Sequence, residues 1–531
     1  MTELIQQTNN YLGQKGYTIH KKDISIEQQK QIRNDLTIKP FVMNAMNNNN
    51  QKTFPVYRES SNKFYVPYYY GVEFFGQTNT FKLSLGATIN IPFAGTLREN
   101  QQIVVDTYME KVQNIPFGGG LLELPCAYGK TVIALNIISK LNRKTIIIVH
   151  KEFLMNQWIE RIHQFLPTAK IGKIQGPVID IDEKDIVIGM LQSISMKEYS
   201  NNIFDDFGLT IIDEVHHISS EVFSNSLFKL ITRYSLGLSA TMNRKDGTTD
   251  VFKMFLGNVV FKGKREEKMN VIIRAIEYVV EDEEFNEVIL DFKGNPAYSS
   301  MISKLCEYNR RSEFILKVLS DLFLENPSQQ IMILAHNKNI LKYLYDAIVH
   351  RNIATVGYYV GGMKEKALKE TETKQVVIAT YSMAAEALDI KTLTTLIMAT
   401  PKTDIEQSVG RILREKHSQP IVVDIIDKHK LFQNQWAKRK TFYKKENYTI
   451  WRTSSAQYLK QPDHNWSTIF DANCANVKTT AKVLTNRKKP HSEKSNSSTD
   501  KSISNETDDE DEIEDSLPKD KYLCGKCLLT K

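Results

Sequence analysis

Two short segments of the sequence contain the side chains that phosphate chemistry needs. The first, LPCAYGKT, spans residues 124–131 and ends in Gly129, Lys130 and Thr131. It matches the end of the pattern G-x-x-x-x-G-K-[ST], although Leu124 stands where that pattern has its first glycine. In such a loop the lysine binds the β- and γ-phosphates, and the hydroxyl holds Mg²⁺. Because the strict pattern fails, the loop alone is a weak signal.

The second segment, DEVH, places two neighbouring carboxylates directly after an apolar run. Asp213 and Glu214 follow the residues LTII. A carboxylate at a strand end can bind a metal ion through water, and its neighbour can orient and deprotonate an attacking water. The two segments together, in this order, predict a site that hydrolyses a triphosphate.

Short apolar runs indicate the elements that must position these side chains. GLLEL, TIIIV, DIVIGM, LTIID and SLGLSA lie between residues 119 and 240, and QIMILA, QVVIAT, TLIMAT and IVVDII lie between 330 and 426. Runs of this length that are apolar throughout are typical of parallel strands buried on both faces. Helical patterns, such as residues 131–141 and 151–166, alternate with them. The sequence therefore predicts an α/β fold with two parallel-sheet lobes, whose ligands bind at the carboxyl ends of the strands.

Charge and composition restrict the class of protein. The chain has 531 residues, is 41% hydrophobic and 25% charged, and carries a net charge of +7. Residues 506–515 contain eight acidic and no basic side chains, so the rest of the chain carries +7 plus 8, or +15. That surplus suits a polyanion partner or a merely lysine-rich surface. Residues 480–520 combine low hydrophobicity with blocks of like charge, which predicts disorder.

Cysteine spacing and hydropathy predict a cytoplasmic protein that is not secreted. Five scattered cysteines do not fit a disulfide framework. No apolar run reaches the roughly 18 residues that cross a bilayer, and the polar start lacks a secretory signal. Cys524 and Cys527 form a single CxxC pair, which predicts no zinc site of its own; a site shared with a partner is the less favoured alternative.

Four segments, in order, resemble the motifs of superfamily 2 DExH-box helicases. PCAYGKT, DEVH, SAT (239–241) and QSVGRILR (407–414) match motifs I, II, III and VI, and the resemblance covers roughly residues 95–450. LRENQ and RKDG resemble the XPB and UvsW branch. Longer stretches, VHKEFLMNQWIERI, IIDEVHHIS and LSATMNRKDG, are similar to helicases of large nucleocytoplasmic DNA viruses, relatives of the poxvirus transcript-release helicase.

The resemblance implies two tandem RecA-like lobes that use ATP and Mg²⁺. Composition and the resemblance together predict five regions, which are an N-terminal accessory domain, an ATP-binding lobe, a connecting segment, a second lobe and a largely disordered C-terminal extension. Their predicted bounds are 1–95, 96–265, 266–310, 311–455 and 456–531.

The resemblance also implies a role for each motif residue. The residues implied to bind ATP are Gln101, Pro125, Cys126, Ala127, Tyr128, Gly129, Lys130, Thr131 and Gln407, with Gln102 a rival of Gln101 in reading adenine. The residues implied to act in catalysis are Lys130, Asp213, Glu214, Arg411 and Arg414. Of these, Asp213 supports Mg²⁺ together with Thr131, Glu214 is the general base, and the two arginines reach the γ-phosphate when the lobes close. Ser239 and Thr241 would couple hydrolysis to motion between the lobes.

Contacts to nucleic acid are predicted on both lobes. The candidates are Lys151, Gln192 and Ser193 on the first lobe and His336, Asn337 and Thr380 on the second. Contacts to the sugar-phosphate backbone give affinity and salt dependence with little sequence preference. The resemblance favours DNA and leaves RNA open. It implies a role in viral transcription, through transcript release, or in genome processing, with the transcription machinery a candidate partner and no membrane partner.

Two departures from the helicase pattern leave a second hypothesis open. Ala127 and Ala387 stand where these helicases usually have glycine, and a left-handed backbone there would cost about 1–2 kcal/mol. A catalytically weak nucleic-acid-binding scaffold with a helicase fold is therefore the alternative to an ATP-driven motor. A small-molecule kinase is disfavoured because the second lobe has its own QxxGRxxR arginines.

Three further features have two interpretations each. His217 is as readily a packed histidine as a catalytic one. The aromatic residues 68–70 fill the accessory domain more readily than they stack on bases. The basic residues 435–445 form either a solvated face or a nucleic-acid contact, and the interleaved aromatic residues favour contact.

Overall fold

A computed structural model describes most of the chain. The described residues are 9–40, 53–113, 117–125, 128–200, 202–215, 220–242, 247–264, 270–386, 390–413, 419–460 and 466–472. The chain divides into two compact units, Met1–Arg265 and Glu266–Lys531. The tail predicted to be disordered and the Cys524/Cys527 pair lie outside the described residues. Among those described, no helix is long and apolar enough to span a bilayer.

The first unit begins with a small antiparallel sheet. Its strands run in the order β1-β2-β6-β5, and β3 pairs with β4. The strands are β1 (Tyr11–Gly13), β2 (Gly16–His20), β3 (Thr37–Ile38), β4 (Phe54–Pro55), β5 (Arg58–Glu59) and β6 (Lys63–Val66). The helices are α1 (Ile26–Asp35) and α2 (Tyr68–Phe75). The aromatic residues of α2 pack inward, since Tyr70 is buried and the Tyr68 ring lies 4.0 Å from that of Phe117, centroid to centroid.

An eight-stranded sheet makes up the rest of the first unit. Its strands are β7 (Gly118–Glu123), β8 (Thr145–Val149), β9 (Ile171–Gln175), β10 (Val178–Asp180), β11 (Ile186–Met190), β12 (Leu209–Ile212), β13 (Tyr234–Ser239) and β14 (Val259–Lys262). They run in the order β10-β9-β11-β8-β12-β13-β7-β14, and every pair is parallel except β10-β9. The helices are α3 (Glu99–Gln113), α4 (Lys130–Leu141), α5 (Glu152–Phe165), α6 (Leu191–Met196), α7 (Ser220–Leu227) and α8 (Thr249–Leu256).

The second unit contains a second eight-stranded sheet, in the order β17-β18-β16-β19-β20-β15-β21-β22, with β21-β22 its antiparallel pair. Its strands are β15 (Ile272–Tyr278), β16 (Gln330–Ala335), β17 (Val356–Tyr359), β18 (Val376–Thr380), β19 (Leu393–Met398), β20 (Ile421–Asp427), β21 (Thr449–Ser454) and β22 (Ser467–Phe470). Its helices are α9 (Glu283–Asn286), α10 (Tyr298–Glu307), α11 (Asn309–Glu325), α12 (Lys338–His350), α13 (Glu365–Thr371), α14 (Tyr381–Glu386), α15 (Glu406–Arg411), α16 (Lys430–Lys445) and α17 (Ser455–Lys460).

The predicted α/β fold with two parallel-sheet lobes is confirmed, because every apolar run named from the sequence overlaps a strand of one of these sheets. One element differs from expectation. Residues 266–310 were expected to connect the lobes, but Ile272–Tyr278 forms β15 inside the second sheet, between β20 and β21. Arg274 and Glu277 interrupt this run and pair with Glu325 and Arg452, so the run lacks the unbroken apolar character of its neighbours. The other domain bounds stay predictions.

Candidate active site

The phosphate-loop candidate lies between β7 and α4, at the carboxyl edge of the first large sheet. Gly129 precedes α4 with a φ of 92°, a left-handed backbone that favours glycine. A Cβ at this position would lie 2.3 Å from Nε2 of Gln101, so a larger residue would displace the Gln101 side chain from the loop. Cys126 and Ala127 lie outside the described residues, and Pro125 precedes them.

The loop is held from behind by the start of α3. Gln101 is buried, and its Nε2 donates to the carbonyl of Tyr128 over 2.9 Å. The guanidinium of Arg98 donates to the same carbonyl over 2.6 Å. Gln102, the rival for the adenine role, instead donates to Asp106 on its own helix over 2.7 Å. The structure therefore brings Gln101 to the loop and directs Gln102 along α3.

Lys130 and Glu214 form an ion pair at the centre of the site. Their Nζ and Oε1 atoms are 2.5 Å apart, with side chains 15% and 19% exposed. Glu214 follows β12 with a φ of 47°, an unusual value for a residue other than glycine. Such a backbone costs about 1–3 kcal/mol and persists only where the surroundings hold it, which is common at functional sites.

Asp213 is buried beside this pair. Its Oδ2 accepts the indole N–H of Trp158 over 2.9 Å, and its Oδ1 accepts the backbone N–H of Glu214 over 3.0 Å. Burial raises the pKa of Asp213, and the charge of Glu214 raises it further, while Lys130 and Trp158 oppose the shift. A divalent cation would favour the ionised carboxylate and reverse this balance.

The donor set fits Mg²⁺ that is held largely by phosphate and water. Thr131 lies in the first turn of α4, next to Lys130, and it supplies a hydroxyl as Asp213 supplies a carboxylate. These hard oxygen donors are the ligands that Mg²⁺ prefers, and one or two protein oxygens are its usual complement. Within the described ranges, no group of three or more His, Cys, Asp or Glu side chains is arranged to hold a metal ion alone.

Ser239 and Thr241 lie at the end of β13, the strand between β12 and β7. The Ser239 hydroxyl donates to the carbonyl of Thr241 over 2.5 Å, and the Ser239 carbonyl accepts the backbone N–H of Leu124 over 2.8 Å. The loop, the two carboxylates and this turn therefore meet at one edge of the sheet. His217 lies outside the described residues.

The nucleic-acid candidates of the first unit lie at other strand ends of the same sheet. Lys151 lies in the short connection between β8 and α5, immediately before α5 begins. Gln192 donates from Nε2 to the carbonyl of His150 over 3.2 Å, so it lies beside Lys151. Ser193 accepts the backbone N–H of Gly176 over 2.9 Å. Since β8 and β11 are neighbours, the structure brings all three candidates to adjacent strand ends.

The candidates of the second unit occupy the matching edge of its own sheet. His336 and Asn337 follow β16, and Thr380 ends β18, its neighbour. The Asn337 side chain donates to the Ser303 hydroxyl over 3.3 Å. Arg411 is buried at the end of α15, and Gln407 is half-buried on the same helix. Arg414 and Ala387 lie outside the described residues.

Sequence reasoning missed two buried ion pairs in the second unit. Arg311 forms a bidentate pair with Asp427, and Arg439 forms one with Asp424, over 2.7–2.9 Å. Arg439 belongs to the basic segment 435–445, whose Trp436 is also buried. The helix is therefore amphipathic, and neither earlier interpretation describes its buried arginine. A signal was present, because acidic residues inside the buried run IVVDIID require cationic partners.

Several known proteins are similar to this chain. Residues 94–244 match the family described as type III restriction enzyme, res subunit. The chain is 35% identical over 466 residues to the Acanthamoeba polyphaga mimivirus protein named "Putative ATP-dependent RNA helicase L396", covering 85% of this chain and 88% of that one. It is 28% identical over 397 residues to an African swine fever virus protein with the same description, covering 70% and 76%. The Hef helicase domain of Pyrococcus furiosus is 13% identical with a TM-score of 0.45, covering 65% of this chain and 98% of that structure.

Proposed function

This chain belongs to the family of ATP-dependent helicases of large DNA viruses, as its 35% identity to the mimivirus protein over 85% of its length shows, and from this premise we propose that it is an ATP-driven motor that translocates along nucleic acid or unwinds it. The observation that supports the proposal most directly is the Lys130–Glu214 pair, beside Asp213 and at the N-terminus of α4. A helix N-terminus with a lysine and two carboxylates is the arrangement that triphosphate hydrolysis requires.

In the proposed mechanism the bound triphosphate competes with Glu214 for Lys130. The phosphates carry more negative charge than one carboxylate, so the ammonium moves to the β- and γ-oxygens. Glu214 then loses its cation and becomes available to accept the proton of the attacking water. The 2.5 Å pair therefore restrains the base until a nucleotide is present.

Thr131 and Asp213 are the residues that would hold Mg²⁺, which neutralises phosphate charge when bound. Gln101 keeps the loop in place through Tyr128 and is the proposed adenine contact. Gln407, Arg411 and Arg414 are proposed to contact the nucleotide, with the arginines stabilising charge on the γ-phosphate. In GTPase systems such an arginine is worth about 10³–10⁵ in rate.

Nucleic acid is proposed to bind through its backbone at the strand ends that carry Lys151, Gln192 and Ser193 in the first unit and His336, Asn337 and Thr380 in the second. The names of the viral relatives favour RNA as the track, and the resemblance to transcript-release helicases favours DNA. On that resemblance we also propose a role in viral transcription, with the transcription machinery as partner and the host cytoplasm or the virion as location.

The test is phosphate release from ATP with no nucleic acid, single-stranded RNA, single-stranded DNA or duplex DNA, followed by displacement of a labelled strand. Stimulation by one of these polymers is the expected result, and the strongest stimulator identifies the track. The alternative scaffold would bind the same polymers tightly without stimulated phosphate release, and that outcome would overturn the motor.

A further inference from the structure

The segment 399–402, ATPK, joins β19 to the residues that lead into α15, and side chains capture all four of its carbonyls. The donors come from four different helices: Arg311 of α11 to Ala399 over 2.6 Å, Tyr381 of α14 to Thr400 over 2.5 Å, Tyr298 of α10 to Pro401 over 3.4 Å, and Arg439 of α16 to Lys402 over 3.0 Å. A connection outside a strand or helix normally satisfies its carbonyls with water. Here the protein itself fixes them.

The two arginines make this attachment rigid. All four side chains of the Arg311–Asp427 and Arg439–Asp424 pairs are at most 1% exposed. A buried ion pair is tolerated only where further hydrogen bonds satisfy its remaining donors. In both pairs the remaining guanidinium nitrogen donates to the segment. These hydrogen bonds to the backbone of 399–402 help to offset the cost of burying each pair.

Thr400 connects the same segment to a nucleic-acid candidate. Its Oγ1 accepts the backbone N–H of His336 over 3.0 Å and lies 2.8 Å from Nδ1 of that ring. Its carbonyl accepts the hydroxyl of Tyr381, the residue after Thr380. Thr400 is completely buried. One residue therefore holds the ends of both β16 and β18, where the predicted nucleic-acid contacts of the second unit lie.

In the other direction the segment leads within a few residues to α15. This helix carries Gln407 and Arg411, the proposed nucleotide contacts of the second unit. A hydrogen bond joins the backbone of His336 to the buried Thr400, and the short backbone stretch 401–405 leads from Thr400 to α15. Coupling between sites is carried by chains of hydrogen bonds and packed side chains of this kind.

We propose that Thr400 is a positioning residue that couples contact with nucleic acid at His336 and Thr380 to the placement of Gln407 and Arg411. Because the arginines hold the backbone of 399–402 in one geometry, a displacement of His336 has a stiff connection to α15, and that connection runs through the Thr400 hydroxyl. This role rests on the proposed function, since it presupposes hydrolysis that nucleic acid stimulates.

The test replaces Thr400 by valine, which has the same shape without the hydroxyl, and by serine, which keeps the hydroxyl. Stimulation of phosphate release by nucleic acid should fall about tenfold in Thr400→Val, within the range typical of coupling between two sites, and should return in Thr400→Ser. Hydrolysis without nucleic acid and the KM for ATP should stay at the wild-type values. The matched control is Thr395→Val, on β19 just before the segment, whose buried hydroxyl donates to Gln329 over 2.6 Å.

The outcomes separate this role from the proposed function. A wild-type protein that nucleic acid does not stimulate overturns the proposed function and the coupling with it. A stimulated wild type with equally stimulated Thr400→Val, or an equal loss in Thr395→Val, overturns the role of Thr400 alone. Should Thr400→Val fail to fold, Tyr381→Phe removes the hydroxyl that binds the Thr400 carbonyl and tests the same connection.

A second measurement reads the coupling in reverse. Coupling free energies are reciprocal, so a non-hydrolysable ATP analogue should change the affinity for a fluorescent oligonucleotide by the same factor in the wild type. That change should be lost in Thr400→Val and kept in Thr395→Val. An analogue effect of wild-type size in Thr400→Val contradicts the proposal.

Discussion

Charged side chains pair differently in the two units. In the first unit Lys130 meets Glu214 through one contact, with side chains 15% and 19% exposed. In the second unit each of the two arginines meets its aspartate through two contacts, with side chains at most 1% exposed. Lysine is a compact ammonium on a flexible stem, whereas arginine is a planar fork that fits a carboxylate bidentately.

In the proposed mechanism the Lys130–Glu214 pair opens when a nucleotide binds, whereas the two buried arginine–aspartate pairs stay closed. In that mechanism Lys130 exchanges Glu214 for a phosphate, and a single contact on a flexible stem would allow that exchange. Arg439 is fixed by Asp424, and Asp424 also accepts the hydroxyl of Tyr443 over 3.0 Å. Burial alone would lower the pKa of Arg439, and Asp424 more than offsets this, so the pKa lies above the usual range for arginine. The arginine stays charged, and the pair is permanent.

The largest effect is expected when the carboxylate of Glu214 is removed from the Lys130–Glu214 pair. Glu214→Gln keeps the shape of the side chain but cannot accept a proton, and removal of a general base costs about 10²–10⁴ in kcat. ATP affinity should be kept or improved, since Lys130 no longer has a competing carboxylate. Single-turnover phosphate release and equilibrium binding of a fluorescent ATP analogue measure the two effects. Wild-type turnover in this variant would remove Glu214 from its proposed role.

The second largest effect is expected when the buried Arg439–Asp424 pair is broken. Arg439→Met leaves Asp424 buried without its cation, and breaking a buried pair in this way costs about 3–5 kcal/mol of unfolding free energy. Denaturant unfolding of the full chain measures the loss. Lys438→Met, one residue earlier on the exposed face of α16, is the matched control and should change stability by less than about 0.5 kcal/mol. Equal losses of unfolding free energy in the two variants would contradict the claim that the Arg439–Asp424 pair stabilises the fold.

A third change should affect hydrolysis but not folding. Lys130→Ala removes the ammonium that the phosphates need, and loss of one such electrostatic contact costs about 10²–10³ in rate. Its unfolding free energy should stay close to that of the wild type. Lys140→Ala on the same helix breaks only an exposed pair with Asp106 and should leave turnover unchanged. A large loss of stability in Lys130→Ala would mean that this pair also holds the fold.

The residues of the Lys130–Glu214 pair were easier to predict from the sequence than those of the two buried arginine–aspartate pairs, for a physical reason. Lys130 and Glu214 each lie in a short contiguous motif, so local spacing was enough to suggest them. The partners Arg439 and Asp424 lie on α16 and β20 and meet only when the helix packs on the sheet. The contact of Trp158 with Asp213 likewise joins α5 to the residues that follow β12. The parallel strands were predictable because burial on both faces leaves unbroken apolar runs. The strand β15 was not predicted because Arg274 and Glu277 interrupt its run.

The smallest expected effect is a dependence of stability on pH that belongs to the first unit. The pKa of Asp213 is raised by burial and by Glu214, so the folded state holds this proton more tightly than the unfolded chain. Unfolding therefore releases a proton in the interval that begins near the unfolded value of about 3.9 and extends upward. The free energy of unfolding should fall as pH rises through that interval, by about 1.4 kcal/mol for each unit by which the two pKa values differ.

Asp213→Asn should remove this part of the pH dependence, because an amide does not titrate. The measurement is denaturant unfolding of the wild type and Asp213→Asn across the interval, and the difference between their slopes isolates the one carboxyl group. Addition of ATP and Mg²⁺ should flatten the wild-type slope as well, since a cation beside Asp213 favours its ionised form. Parallel slopes for the two proteins would show that folding does not raise the pKa of Asp213, and the site would then hold no unfavourable charge for its ligand to relieve.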